Sequence, residues 1–382
     1  MKALKTIITI TLCLVFATSS YSQTSKKKSV FRDSLDNKLD FSNFLMNPKG
    51  FIPIIQPITE PALGNIGGVI SPVFISPNKH PIEGQATPPD ITTAFGGYTA
   101  NNTWMVGALR MATISKYNLK YQVMMAYSSV NMDFYRTLPT IGEKTYTFNF
   151  KALPIFVSLL KEINTSGFFI GVEYLFLKNE VTPEFKFENL PEFIDNKSLK
   201  STLSSPGLVL EFDNRDNIFT PDNGFLINTT YHFNADWTGS DYDFGNLEIS
   251  ALYYHQFTPK LVSGLRLGSE MQFNNAPFYT EPYINLRGVP KMRYQGKSTF
   301  LIETEQRFDF STRWSLMGFG GLAKAVLENV SFNDAELVYN YGTGFRYLIA
   351  RKFKIRMGID VAWSNNDFGY YIIFGCAWNN RK

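Results

Sequence analysis

Residues 299–310 read TFLIETEQRFDF. Phe300, Ile302, Thr304, Phe308 and Phe310 fall on one parity, and Glu303, Glu305, Arg307 and Asp309 on the other. A period of two is the mark of a strand, because successive side chains leave a strand on opposite faces. The content of the two faces is what decides the fold class. A strand of a soluble sandwich turns its apolar face to a core and its charges to water. Here the apolar face ends in aromatics and the polar face is crowded with charge. The pattern recurs: Phe225, Ile227, Tyr231 and Phe233 oppose Asn228, Thr230 and His232. Leu337, Tyr339, Tyr341, Phe345 and Tyr347 oppose Asn340, Gly342, Gly344 and Arg346. Ile355, Met357, Ile359, Val361 and Trp363 oppose Lys354, Arg356 and Asp360. Aromatics at both ends of an outward apolar band are the girdles of a barrel in a bilayer.

Working outward, the alternation predicts fifteen strands, near 66–77, 91–100, 103–114, 119–134, 145–161, 167–180, 203–214, 223–235, 244–258, 261–273, 299–310, 313–326, 335–348, 353–364 and 369–378. A bacterial single-chain barrel has an even number of strands, so one is missing. Residues 51–59 (FIPIIQPIT) supply it, since Pro53 and Pro57 are tolerable at a weakly paired edge. The expected fold is all-β: a transmembrane antiparallel barrel of about sixteen strands, closed by pairing 51–59 with 369–378. Segments 130–144, 181–202, 234–243 and 274–298 become extracellular loops. Connections at 164–167 and 258–260 become periplasmic turns, and 78–90 an unusually long one.

The composition agrees with one barrel domain. The 382 residues include 34 Phe and 20 Tyr, with 18% charged residues, and no apolar run, the N-terminal one included, is long enough for a spanning helix. With 37 basic and 33 acidic residues, nothing marks a nucleic-acid partner. Lys2 and Lys5, the apolar stretch 6–17 and Ser20-Tyr21-Ser22 read as a signal peptide cleaved near residue 22. Residues 23–50 then form a periplasmic segment, with an amphipathic helix expected over 33–46, and 51–382 form the barrel. Two cysteines and three histidines without clustered spacing leave no disulfide framework and no metal site.

Three stretches together resemble the BamA/TamA outer-membrane assembly family, or bacterial surface antigens. The first is GLVLEFDNRDNIFTPDNG (207–224), with Asp213, Arg215 and Asp216 at a turn and Gly224 opening the next strand. The second is NLRGVPKMRYQG (285–296), similar to the family's Arg-Gly-aromatic loop tip, with Arg287, Gly288 and Val289 in place of the aromatic. The third is the strand pair TFLIETEQRFDF and SLMGFGGLAKA that faces such a tip. YYIIFGCAW (370–378) looks like a terminal targeting strand ending in Trp378. The resemblance implies a member without POTRA domains, in the outer membrane of a Gram-negative bacterium. It implies that Arg287 folds into the lumen and is held by Glu305, with Glu303 in reserve. The family's second anchor, an Asp on the following strand, is replaced here by Gly321. The bland reading of Asp213, Arg215, Asp216 and Gly224 is turn chemistry; the sharper one is an ion-paired rim.

Catalysis is not expected. His80 is in a loop, His232 on the polar face and His255 on the apolar face; no Gly-x-Ser-x-Gly elbow occurs, and Glu173 and Glu180 lie at different heights. No cofactor is implied. The resemblance implies protein insertion or translocation through a weak seam bordered by Pro53, Pro57 and Trp378. The alternative is a passive or gated pore occluded by its loop. Expected partners are outer-membrane lipid and client proteins; a homo-oligomer stays open.

Overall fold

The computed structural model describes residues 30–46, 51–76, 90–138, 142–164, 166–185, 191 and 193–378. The expected signal peptide, the 78–90 turn up to residue 89 with His80, and Asn379–Lys382 lie outside the described residues. Sixteen strands are described, each antiparallel to the next in chain order. They are β1 Ile52–Ile58, β2 Gly67–Ser76, β3 Asp90–Thr99, β4 Trp104–Ile114, β5 Leu119–Leu138, β6 Gly142–Ile163, β7 Phe168–Pro183 and β8 Lys200–Asp213. The second half comprises β9 Gly224–Asn234, β10 Phe244–Thr258, β11 Leu261–Phe273, β12 Ser298–Phe308, β13 Trp314–Val326, β14 Leu337–Ala350, β15 Ile355–Ser364 and β16 Phe368–Phe374. The expected strands are therefore all present, including the Pro-bearing first one. No helix among the described residues is long and apolar enough to cross a membrane, a finding that says nothing of strands.

The alternation drives the closure. On β12, Ile302 and Phe308 are exposed on the outer face while Glu303 and Arg307 are buried in the lumen. On β14, Tyr339, Tyr341 and Phe345 face out, and Asn340 and Arg346 face in. A one-residue slip would exchange these sets, so the register is strongly specified. Two interior prolines sit where a ladder lapses. Pro154 of β6 lies opposite the gap between the Met125–Ile155 and Ser128–Ala152 pairs, and Pro206 of β8 precedes the first β8–β9 pair, Gly207–His232. The missing proline donor thus coincides with an interrupted ladder.

The barrel is nearly closed. No ladder joins β1 to β16 among the described residues, so the expected pairing of these strands is replaced by an open seam. The register explains it. Pro53 stands opposite Pro72 of β2, and two prolines cannot form a hydrogen-bonded pair, since neither has an N–H. Pro53 and Pro57, of the same parity, therefore direct their missing donors toward the free edge. Of positions 53, 55 and 57 facing β16, Ile55 alone keeps an amide proton.

Two terminal features differ from expectation. Residues 33–46 form no continuous helix; α1 spans Ser42–Met46 alone. Upstream, Asp33, Asp36 and Asp40 bond the amides of Leu35, Lys38 and Ser42, two residues on, and this local bonding competes with a helix. Their remaining oxygens turn to Arg313, and Leu35 is left 76% exposed. Trp378 does not end the seam strand. β16 stops at Phe374, Gly375 adopts φ +77°, and Cys376, Ala377 and Trp378 turn into the lumen and are buried.

Candidate functional site in the barrel lumen

The loop between β11 and β12, residues 274–297, folds back into the barrel as a plug. It closes on itself: Ile284 N donates to Tyr294 O (3.0 Å) and Gly296 N to Pro282 O (3.0 Å). Near the loop rim its Phe278 packs edge-on against Phe134 and lies 5.1 Å from Phe148, both buried. Deeper, Ile284, Leu286 and Val289 form an apolar cluster with Ala323 and Val338. Val289, expected where the resemblance has an aromatic, is 2% exposed within this cluster. This burial drives Arg287 to mid-lumen.

There Arg287 is fully buried. Its Nη1 lies 2.5 Å from Glu305 Oε2 and 2.8 Å from Asp360 Oδ2, and its Nε donates to Glu303 Oε1 at 3.1 Å. The guanidinium stacks 3.5 Å above the Phe319 ring. Asn340 Nδ2 donates to the Arg287 carbonyl. Gly288 sits against the backbone of Ala362 and Trp363, where a Cβ would be 3.1 Å from their carbonyl carbons. Its amide donates to Tyr371 Oη (2.8 Å), and its carbonyl accepts from Ser364 Oγ (2.8 Å).

The carboxylates are shared. Asp360 also binds Arg346 through two bonds, of 2.6 and 2.9 Å. Glu303 accepts from Trp378 Nε1 (2.6 Å) and lies 3.6 Å from Arg266 Nη1. Three arginines thus meet three carboxylates, and a buried charge set survives only when so balanced.

The expected trio of Arg287, Glu303 and Glu305 is brought together, with two corrections. Glu303 is no reserve, because it holds Arg287, Trp378 and Asn340 at once. Nor does Gly321 leave the arginine short of a partner: Asp360, on β15, supplies the third carboxylate. A Cβ at Gly321 would stand 2.8 Å from Ile302 O and 2.9 Å from Asn340 Oδ1, so nothing larger fits there. Parity already put Asp360 on the lumen face, but strand order cannot say that a loop tip reaches three strands onward.

At the turn rim the residues of the first motif are brought together. Arg215 grips Asp213 through Nε and Nη2, each 2.9 Å. Asp216 Oδ1 accepts from the amides of Asp222 and Asn223, and its Oδ2 lies 3.1 Å from Lys354 Nζ. Gly224 has φ +112°, and a Cβ there would meet Arg215 Cα at 2.6 Å. Asp222 continues the chain of charge to Arg307, which pairs with Asp309, itself bonded to Arg356.

A further cage on this rim was not foreseen. Arg313, fully buried, donates to Asp33, Asp36 and Asp40 at 2.6 Å each, and Arg351 Nε reaches Asp33 at 2.5 Å. The bonds to Arg351 and Arg313 hold Asp33 well below the ordinary carboxylate range. Asp36 is lowered chiefly by Arg313. Burial opposes ionisation of Asp40, but Arg313 and Ser42 outweigh it. The spacing of these aspartates is the available signal, and a helical reading of 33–46 passes over it. Glu173 lies 3.7 Å from His232 on the lumen side, with Ser158 donating to it. Among the described residues no group of three or more His, Cys, Asp or Glu could hold a metal ion.

A sixteen-stranded antiparallel barrel with an aromatic-belted outside, a charged lumen and a loop arginine locked inside defines a transmembrane β-barrel with a plugged lumen. An Omp85 superfamily domain model matches residues 100–288, and the barrel is BamA-like in fold. The fold is similar to BamA from Haemophilus ducreyi lacking POTRA domains 1–3, at 11% identity and TM-score 0.56, over 85% of this chain and 69% of that one. It is similar to CdiB from Escherichia coli at 9% identity and TM-score 0.57, over 84% of this chain and 61% of that one. No curated protein matches the sequence.

Proposed function

We propose that this outer-membrane barrel inserts or translocates client proteins through its β1–β16 seam, while the lumen stays plugged. The observation that carries this is the seam itself: no ladder joins the two strands, and prolines withhold two of the three outward donors on β1. An edge so poor in donors is cheap to leave, yet β16 still offers amides and carbonyls to an incoming strand. The occupied lumen supports the same reading over a solute pore. At its middle stand Arg287, Phe319, Trp378 and three carboxylates, all buried. No catalytic role is assigned, and the partners of this reading are outer-membrane lipid and extended client segments.

Reconstitution into lipid vesicles tests it. The expected result is faster folding of an added client barrel and little ion conductance across a planar bilayer. Steady conductance without any effect on client insertion would reverse the assignment toward a pore.

A further inference from the structure

The plug touches both borders of the seam at the loop rim. We propose that Lys291–Arg293 is a clasp that holds the seam shut there and lets go on the β1 side first. The inference rests on the seam being the working element and names what regulates it.

On the β16 border, Arg293 Nη1 lies 2.5 Å from both oxygens of Asp367 in the β15–β16 turn. Its Nη2 donates to Glu143 of β6 at 2.8 Å. On the β1 border, the Lys291 amide donates to Glu60 Oε1 at 3.0 Å. Glu60 stands in the β1–β2 turn, and its carbonyl accepts from Leu63 and Asn65. Tyr370 Oη of β16 reaches the Asn65 carbonyl at 3.3 Å across the same gap. Two residues of one loop thus grip opposite sides of a seam that has no ladder.

Between them Met292 has φ +61°, within a turn closed by Arg293 N to Pro290 O at 3.4 Å. A left-handed φ is costly for a residue with a Cβ and persists when its flanks hold it. Both flanks here are the clasp bonds, so letting go of one relieves strain. The grips are unequal. On the β15–β16 side the plug is held by Asp360, Ser364, Tyr371 and Asp367. On the β1 side, among the described residues, the Lys291 amide bonds the Glu60 carboxylate at the loop rim. When the seam parts, the plug therefore stays with β16, and β1 leaves.

The test uses the full chain in lipid vesicles, in a Cys376→Ser background. Spin labels at Ile66→Cys and Phe368→Cys read the loop-rim gap, and labels at Phe51→Cys and Phe374→Cys read the turn rim. Glu60→Ala removes a charged acceptor and is expected to raise the open population about tenfold at the loop rim alone. Glu60→Gln keeps an acceptor oxygen and should stay near the native distance. Met292→Gly, which removes the strain, should narrow the loop-rim distribution. An unchanged gap in Glu60→Ala, equal widening at both rims, or a wider gap in Met292→Gly would overturn the clasp. Client insertion is read separately: a wider gap with unchanged insertion keeps the clasp and removes the functional reading beneath it.

Discussion

Removing Arg287 takes one cation from three buried carboxylates, Glu303, Glu305 and Asp360. Arg287→Ala should therefore cost ~3–5 kcal/mol, far above the ~0–1 kcal/mol of a solvated surface pair. Glu303→Gln should cost more than Glu305→Gln, because Glu303 is fully buried and also receives the Trp378 indole. The unboiled-gel melting temperature checks both, and an Arg287→Ala barrel that melts like the parent would contradict the site. The Arg287→Ala, Glu305→Gln double variant should lose less than the sum of the singles. Trp378→Phe keeps the ring but strips one donor from Glu303, at ~1–3 kcal/mol. Much of this was legible beforehand. Arg287 stands in the loop directly before β12, and Glu303 and Glu305 share that strand's lumen parity. Asp360 was harder, because parity gives a face but neither the height of a residue nor the reach of a loop.

At the scale of elements, alternation carried nearly everything from residue 51 onward, because each strand must satisfy lipid outside and a charged lumen inside. It failed where backbone bonding outranks periodicity. The segment 33–46 carries apolar residues at helical spacing, yet its aspartates prefer their own amides and the buried Arg313. That segment now works as a strap. Phe41 N bonds Ile349 O, Tyr347 Oη bonds Leu39 O, and Lys352 N bonds Ser42 Oγ. Asp33, Asp36 and Asp40 titrate below the ordinary carboxylate range when folded, so their contribution is complete above about pH 4. It is lost as pH falls through the depressed values. A spin label at Asn43 should stay immobile from pH 8 to 5 and loosen below about pH 4; release near pH 6 would show that the cage is not what holds the strap. Arg313→Ala should free the same label at neutral pH. The inward tail is a second element that pattern could not reveal, because one glycine torsion redirects it. Gly375→Ala would place a Cβ 2.9 Å from Phe219 O at φ +77°. It should expose Trp378, read as a red shift in its emission against a Trp378→Phe reference.

The whole molecule joins a rigid interior to a weak border. Fifteen consecutive ladders and a balanced charge cluster fix the wall and the plug, while the border between β1 and β16 has no ladder to lose. Prolines at 53 and 57 were readable as edge residues; that their missing donors face the seam follows from the Pro53–Pro72 pairing, which sequence alone does not supply. The central claim is that clients pass this border and not the lumen. The most direct measurement is client-barrel folding in vesicles with the seam locked by disulfides, from a scan of cysteine pairs stepped along β1 and β16. The account predicts that seam-locked protein loses its acceleration of folding and regains it on reduction, while a disulfide fixing the plug to β12 leaves the rate unchanged. Full activity with the seam locked, or loss of activity when the plug alone is fixed, would contradict it.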